Sequence, residues 1–227
     1  MRSRSVLLAL LALVLLLPAC ASQFLPGGLP GNLGVQTPVL TYDGAITVAI
    51  KNGMPLAGTN LGYQGKSVDG RALLLIGGQQ AAKQLADSVN FSGTIVPGTS
   101  VRLNTRVGPY DQSSVNLIGT VHIEIEDAQP NAAEPSQDII TAFGIPVQYR
   151  VNRGDSIPGT LVQFLGQTSQ GAQFSNLGEF PYRSQLDSVV WNGHLRDKVA
   201  LKLDLRLLNA SEDNAALVGT AQIRFEK

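Results

Sequence analysis

The chain has 227 residues, which suffices for one large domain or two small ones. Its 17 basic residues balance its 17 acidic ones, and 6% of the residues are aromatic. A nucleic-acid binder usually carries a clustered basic surface, so this balance argues against a nucleic-acid partner.

The N-terminal segment, MRSRSVLLALLALVLLLPACAS, has the order of parts that is typical of a secretory signal peptide. Arg2 and Arg4 form a short basic start, and an unbroken apolar run follows over residues 6–17. This run is shorter than the ~20 residues that a membrane-spanning helix needs. The pattern therefore predicts a signal peptide over residues 1–19, which is removed from the mature protein.

The end of that segment resembles the lipobox of bacterial lipoproteins. The resemblance is carried by four residues, Leu17, Pro18, Ala19 and Cys20. Cys20 is the only cysteine in the sequence and stands at the required place, whereas Pro18 is an unusual choice at its position. The resemblance covers residues 1–22 alone. It implies that a diacylglycerol is attached to the Cys20 thiol and that the chain is cut just before this residue.

Lipidation predicts a membrane-held protein of the cell envelope. Each buried methylene contributes about 0.8 kcal/mol, so two or three acyl chains on Cys20 hold a protein durably. In lipoproteins an Asp directly after the cysteine often signals retention in the inner membrane. Ala21 and Ser22 follow here, which favours the outer membrane. Because the lone cysteine is used for lipid, no disulfide is expected in the mature body.

Residues 20–38 are predicted to be a tether. The stretch after Cys20, ASQFLPGGLPGNLGVQTP, has no charge and is dense in Gly and Pro, which disfavour regular structure. An alternative stays open, in which Phe24, Leu25 and Leu29 enter the membrane interface or dock on the body.

Two segments of nearly the same sequence lie one hundred positions apart, DSVNFSG at 87–93 and DSVVWNG at 187–193. Extended without gaps to residues 127 and 227, the two copies are identical at eleven of 41 positions. Upstream, five pairs of glycines coincide at an offset of 101: Gly53 and Gly154, Gly58 and Gly159, Gly65 and Gly166, Gly70 and Gly171, Gly77 and Gly178. Glycine marks turns and close approaches. The pattern predicts an internal duplication, with repeats over 39–127 and 139–227 and a linker over 128–138.

Period-two alternation predicts strands in both repeats. The clearest case is KVALKLDLRL, residues 198–207, where apolar Val and Leu alternate with polar residues, and TSVRLNTRV at 99–107 is its counterpart. Turns are predicted at Pro97–Gly98, Arg196–Asp197 and Asp43–Gly44. Residues 79–85, QQAAKQL, are the one stretch that favours a helix.

The predicted fold class is therefore all-β, with two tandem homologous β-sandwich-like repeats. The alternative is one larger sandwich or barrel, made of two interlocked repeats. Phe91 and Trp191 occupy equivalent positions and are predicted to anchor each core. The most apolar stretch of the body, RALLLIGG at 71–78, is predicted either to be a buried strand or to line an apolar pocket.

Residues with catalytic potential are few. The candidates are His122, His194, Asp87 and Asp187, and neither histidine is duplicated. We expect both histidines to be polar surface, and both aspartates to bind local backbone amides. No metal-ligand cluster or cofactor motif is found, so no metal, no cofactor and no enzymatic activity are expected.

The sequence favours a non-enzymatic envelope lipoprotein that contacts the membrane through its lipid and binds an envelope protein. The alternative is a binding module for a lipid or another small apolar molecule, held between the repeats or inside a barrel. A hydrolase is a third, weaker hypothesis.

Overall fold

A computed structural model describes residues 39–178 and 180–227. These residues form fourteen β-strands and no helix, which confirms the all-β class. In chain order the strands are β1 (Leu40–Lys51), β2 (Leu61–Lys66), β3 (Ala72–Ile76), β4 (Gln79–Lys83), β5 (Ser88–Gly93), β6 (Thr99–Tyr110), β7 (Ser114–Ile125), β8 (Ile139–Asn152), β9 (Phe164–Thr168), β10 (Gly171–Phe174), β11 (Tyr182–Arg183), β12 (Ser188–Arg196), β13 (Val199–Ala210) and β14 (Asn214–Glu226).

The strands form four antiparallel sheets, two in each half of the body. The larger sheets have the orders β1-β7-β6-β5 and β8-β14-β13-β12, and the smaller ones have the orders β2-β3-β4 and β9-β10-β11. The two halves therefore have the same element order and the same strand neighbours. This parallel is the one that an internal duplication requires, although the duplication itself and the repeat boundaries stay predictions.

Alternation of apolar and polar residues determines which face of each large sheet is buried. In β13, Leu201, Leu203 and Leu205 are buried, while the intervening Lys202 and Asp204 are exposed. Strand β6 shows the same pattern, with its Val and Leu side chains inside. The strands and the wet face predicted from the sequence are thus confirmed for this part of each half, except that Ala200, expected on the wet face of β13, is buried.

All ten coincident glycines have positive φ, between 61° and 124°. Most of them lie at turns, as a shared set of turns predicts, whereas Gly65 and Gly166 lie within β2 and β9 beside a shift in strand register. Only glycine adopts such angles at little cost, which explains why the sequence keeps glycine there. The turns at Pro97–Gly98 and Arg196–Asp197 are also found, since each lies between two antiparallel strands of one sheet.

Two predicted local structures are wrong. Residues 79–85 were expected to favour a helix, but Gln79–Lys83 forms β4 and pairs with β3. A stretch of this length is too short for a stable isolated helix, so strand pairing prevails. Asp43–Gly44 was expected to make a hairpin turn, but β1 pairs with β7 without interruption through both residues. A β-carbon on Gly44 would lie 2.5 Å from Ile145 Cγ2, so this glycine serves a close approach between strands.

The two halves share one core. All described residues belong to one compact unit, and β1 of the first half packs against β8 of the second. Gly44 meets Ile145, which stands 101 positions later, so equivalent positions face each other across the interface. Such self-matching contacts are typical of a twofold arrangement. The interlocked alternative has one shared core of this kind, whereas two independently packed sandwiches would each have a core of their own.

The aromatic pair Phe91 and Trp191 packs differently in the two halves. Trp191 is buried, whereas Phe91 is half-buried against the core. Each ring covers the glycine two residues later on its own strand, Gly93 or Gly193, so the aromatic side chain fills the space above the glycine.

Buried Tyr42 on β1 and half-buried Tyr149 on β8 lie close together. The hydroxyls of Tyr42 and Tyr149 have no hydrogen-bond partner within the described part of the chain. Burial raises the pKa of Tyr149 to about 12, and burial together with the nearby Tyr149 raises that of Tyr42 further. By contrast, the hydroxyl of the buried Tyr63 donates a hydrogen bond to the carbonyl oxygen of Asp111.

We expect Tyr42→Phe to raise the free energy of unfolding by about 1 kcal/mol, because it removes a buried hydroxyl that no protein group satisfies. Tyr63→Phe is the matched control and should lower it by a similar amount, since it deletes a hydrogen bond. Urea unfolding of the body measures both. Destabilisation by Tyr42→Phe would contradict this interpretation.

Candidate functional site

The predicted lipobox, Leu17 to Cys20, and the predicted tether lie outside the described residues. The described residues contain no helix that is long and apolar enough to cross a membrane. Within residues 39–178 and 180–227, His, Cys, Asp and Glu side chains form no group of three or more that suits a metal ion.

Asp87 and Asp187 bind local backbone amides, as predicted. The Asp87 carboxylate accepts a hydrogen bond from the Gln84 N–H at 2.8 Å, and that of Asp187 accepts one from the Ser184 N–H at 2.7 Å. Each carboxylate closes the loop that leads into β5 or β12. This role is structural and is the same in both halves.

His122 lies in a charged cluster on the outer face of the first large sheet. Its Nδ1 contacts Asp43 on β1 at 2.5 Å, and its Nε2 contacts Glu124 at 2.9 Å. Arg102 on β6 contacts Glu124 at 3.2 Å. Hydrogen bonds to Glu124 and Asp43 raise the pKa of His122, and the hydrogen bond from His122 lowers the pKa of Glu124. The cluster joins three neighbouring strands and includes the side chain of Ser100 on β6, which forms a hydrogen bond with Glu124.

We expect His122→Gln, which introduces the residue found at the equivalent position 222, to make stability less dependent on pH. The pKa of His122 is raised above its ordinary 6.5, so its stabilisation is fully present below that pH and is lost as pH rises through the folded-state value. The free energy of unfolding of the wild type should exceed that of the variant by up to about 1 kcal/mol at pH 5.5, and by less at pH 9. Unfolding at both pH values tests this; an equal difference would contradict it.

His194 fastens the linker to the second half. Its Nε2 contacts the buried carboxylate of Glu226 at 3.0 Å, and Glu226 also accepts a hydrogen bond from the Ser136 N–H at 2.8 Å. The backbone N–H and C=O of His194 pair with those of Asn131, both at 2.9 Å. Residues 128–138, predicted as a linker, thus lie along the edge of β12 and the end of β14. His194 is therefore half-buried and makes structural contacts, whereas the sequence predicted a polar surface residue.

A groove of about 400 Å³ lies beside β2 in the first half. This β2 groove is lined by Met54, Pro55, Leu61, Tyr63 and Leu75, among others. Its size suits a small ligand, and its lining is largely apolar. The apolar stretch 71–78 was predicted either to be a buried strand or to line an apolar pocket, and it does both. Ala72 and Leu74 of β3 are buried, while Leu75 lines the groove.

A larger groove, of about 940 Å³, lies between β11 and β12 in the second half. We call it the β12 groove, and its lining includes Phe180, Tyr182, Leu186, Ser188, Val190 and Asn192. Phe180, Leu186 and Val190 are 66%, 64% and 45% exposed, and the rings of Phe180 and Tyr182 pack edge to face. Leu186 keeps φ at 71°, an uncommon angle for a leucine. Apolar side chains are therefore displayed to solvent beside an edge strand.

The backbone of β12 also faces this groove. Over residues 187–193 the odd-numbered residues bond to β13, as the hydrogen bond from Leu207 N–H to Asp187 O indicates, so the N–H and C=O of the even-numbered residues point away. His194 pairs there with Asn131, and Ser188 O accepts a hydrogen bond from Arg183 Nε at 2.7 Å. Within the part of the chain that the structure describes, the outward groups of Val190 and Asn192 have no partner.

The sequence interpretation missed the β12 groove. Its side chains come from the linker, the loop before β11, β11, the loop before β12, β12 and β13, and only the fold brings these together. One signal was present in the repeat comparison, where Val190 replaces Asn90 and Leu186 replaces Ala86. Ala86 and Leu186 have nearly the same backbone angle, with φ of 70° and 71°. The substitution therefore changes the side chain shown at the surface and leaves the backbone conformation as it is.

Comparison of the chain with protein-family models, with curated proteins and with solved structures finds no match in any of the three.

Proposed function

We propose that the chain is a non-enzymatic, lipid-anchored lipoprotein of a bacterial envelope, and that its β body binds another envelope protein through the β12 groove. The observation that carries the proposal is the exposed cluster of Phe180, Leu186 and Val190 beside an edge strand with unpaired backbone groups. Aromatic and aliphatic side chains grouped on a surface are typical of protein-binding sites.

The anchor rests on the lipobox resemblance at Leu17 to Cys20 and on the Gly- and Pro-rich residues that follow. A lipid on Cys20 would hold the protein at a membrane, and residues 20–38 would let the body reach a partner beyond the headgroups. The residues after the cysteine favour the outer membrane.

A binding role fits the polar residues better than catalysis does. Asp87 and Asp187 are used to close loops, His194 contacts Glu226, and both ring nitrogens of His122 contact carboxylates. A catalytic site needs a nucleophile, a base and a group that orients the base. The candidates are spread over separate parts of the body, and each already has a structural partner.

The test is photo-crosslinking in cells that make the full-length lipidated protein. The photoreactive residue p-benzoylphenylalanine replaces Phe180, which it resembles, and in a control replaces the fully exposed Val68 of the first half. We expect an adduct with one envelope protein from position 180 and none with that protein from position 68. The double change Leu186→Ala with Val190→Asn, which installs the residues of the first half, should reduce the adduct by about tenfold.

The same adduct pattern from both positions, or none from position 180, would contradict the proposal.

The β2 groove supports the second candidate function, binding of a small apolar molecule, because apolar side chains line a cavity of ligand size there. A small molecule that leaves on denaturation, and whose binding is lost in Leu75→Gln, would favour this second function.

A further inference from the structure

We infer that the partner adds an extended strand to the free edge of β12, so that recognition combines backbone hydrogen bonds with contacts to the apolar side chains of the β12 groove. This inference rests on the proposed function and specifies its mode of binding. The added segment is expected to run beside residues 190–192.

The edge of β12 already accepts one extended residue from this chain. Asn131 forms an antiparallel bridge with His194 through two backbone hydrogen bonds of 2.9 Å. The linker then leaves the edge, because the Asn131 side chain accepts a hydrogen bond from the Ala133 N–H and the Ser136 N–H binds Glu226. A partner strand would continue the same edge from the point at which the linker departs.

The next outward positions along the edge are Asn192 and Val190. Their N–H and C=O groups have no hydrogen-bond partner among the described residues, and unpaired edge groups are a template for strand addition. The β12 groove runs along this part of the strand, so the space that an added strand requires is present. Some side chains of the added strand would meet Phe180, Leu186 and Val190. Others would meet Glu134 and Arg206, which line the same groove, so an amphipathic partner segment is favoured.

The equivalent edge in the first half provides a comparison within the same molecule. Strand β5 is also an edge strand, with β6 as its hydrogen-bonded neighbour in the sheet. At the positions that match Leu186 and Val190 it has Ala86 and Asn90, so an added strand would gain backbone pairs there but little apolar contact. The two edges therefore separate the contribution of the backbone from that of the side chains.

The experiment uses the full-length lipidated protein with p-benzoylphenylalanine at position 180. Val190→Pro removes one outward N–H, and the β12–β13 hydrogen bonds are unaffected because that N–H points away from β13. We expect Val190→Pro to lower the adduct yield by about tenfold, whereas Val190→Thr, which keeps the N–H and loses one apolar methyl contact, should lower it by only about twofold. Asn90→Pro is the matched control on β5 and should leave the yield unchanged.

Amide hydrogen exchange gives a second measurement that needs no proline. In the unaltered protein, isolated with its partner, the amides of Val190 and Asn192 should exchange more slowly than in the free protein, while that of Asn90 should not change.

The outcomes separate this inference from the proposed function. An adduct that survives Val190→Pro but is lost in Leu186→Ala with Val190→Asn would overturn strand addition and leave the proposed function standing. Unchanged exchange at Val190 and Asn192 in the complex would overturn it too. If the protein with p-benzoylphenylalanine at position 180 and no other change forms no adduct, the proposed function itself is overturned. An adduct with a second copy of this chain would overturn the assignment to a different protein.

Discussion

Gly219→Ala is expected to lower the free energy of unfolding by about 3 kcal/mol, near the upper end of what overpacking usually costs. Gly219 lies in β14 between β13 and β8. A β-carbon there would lie 2.8 Å from Leu205 Cα and closer still to the carbonyl oxygen of Asp204. Both atoms belong to the backbone of β13, so no side-chain rotation relieves the clash, and the central strands must separate.

Gly144→Ala is the control for this change. Gly144 lies in β8, next to β14, and its nearest neighbour to a new β-carbon would be Thr220 Cγ2 at 3.9 Å, an ordinary contact. We expect a change within about 0.5 kcal/mol. Thermal unfolding of the body measures both variants, and Gly219→Ala should lower the melting temperature by roughly 6 to 12 °C. Equal effects of the two changes would contradict the close packing of β13 against β14.

Cys20→Ser is expected to abolish lipid attachment and to release the protein from the membrane fraction. The serine hydroxyl cannot replace the thiol that the lipobox resemblance assigns to lipidation, and without acyl chains nothing assigned to the protein holds it in lipid. Labelling of growing cells with radioactive palmitate, followed by separation of membranes, measures both effects. We expect no label on the variant and its recovery in the soluble fraction.

Ala21→Ser is the matched control, since it makes an equally small change one residue away and should keep the label and the membrane association. Continued membrane retention of Cys20→Ser without label would show that the body or its partner holds the protein there. Continued labelling of Cys20→Ser would contradict the assignment of this residue.

The fold class could be predicted because burial leaves a period-two pattern. In β13 the leucines face the core and the charged residues face water, so ten residues of sequence specify a strand and its buried face. The coincident glycines predicted shared turns for a similar reason, because a positive φ restricts the choice of residue. The first signal is local and the second needs only a comparison of the two copies, so both can be read from the sequence without the folded structure.

Features that depend on distant contacts were not predicted. Asp43–Gly44 has the composition of a turn, but the packing of Ile145 against Gly44 accounts for the glycine. Trp191 and Phe91 are equivalent in sequence and unequal in burial, because their surroundings differ between the halves. His122 appeared to be plain surface until β1 brought Asp43 alongside it.

The β12 groove illustrates the same limit for function. Phe180 and Leu186 read as isolated apolar residues in loops, and only the pairing of β11 with β10 and of β12 with β13 places them on one surface. The unpaired edge is likewise a property of sheet order. The sequence contained the substitutions that mark this surface, but not the geometry that gives them a common role.

Native mass spectrometry of the lipidated protein, extracted from its own cells in a mild detergent, tests the central claim most directly. We predict a complex with a second, different polypeptide, and we predict its loss in the variant that carries Leu186→Ala and Val190→Asn. A body that carries a small apolar molecule and no polypeptide would contradict the claim and would assign the binding function to the β2 groove.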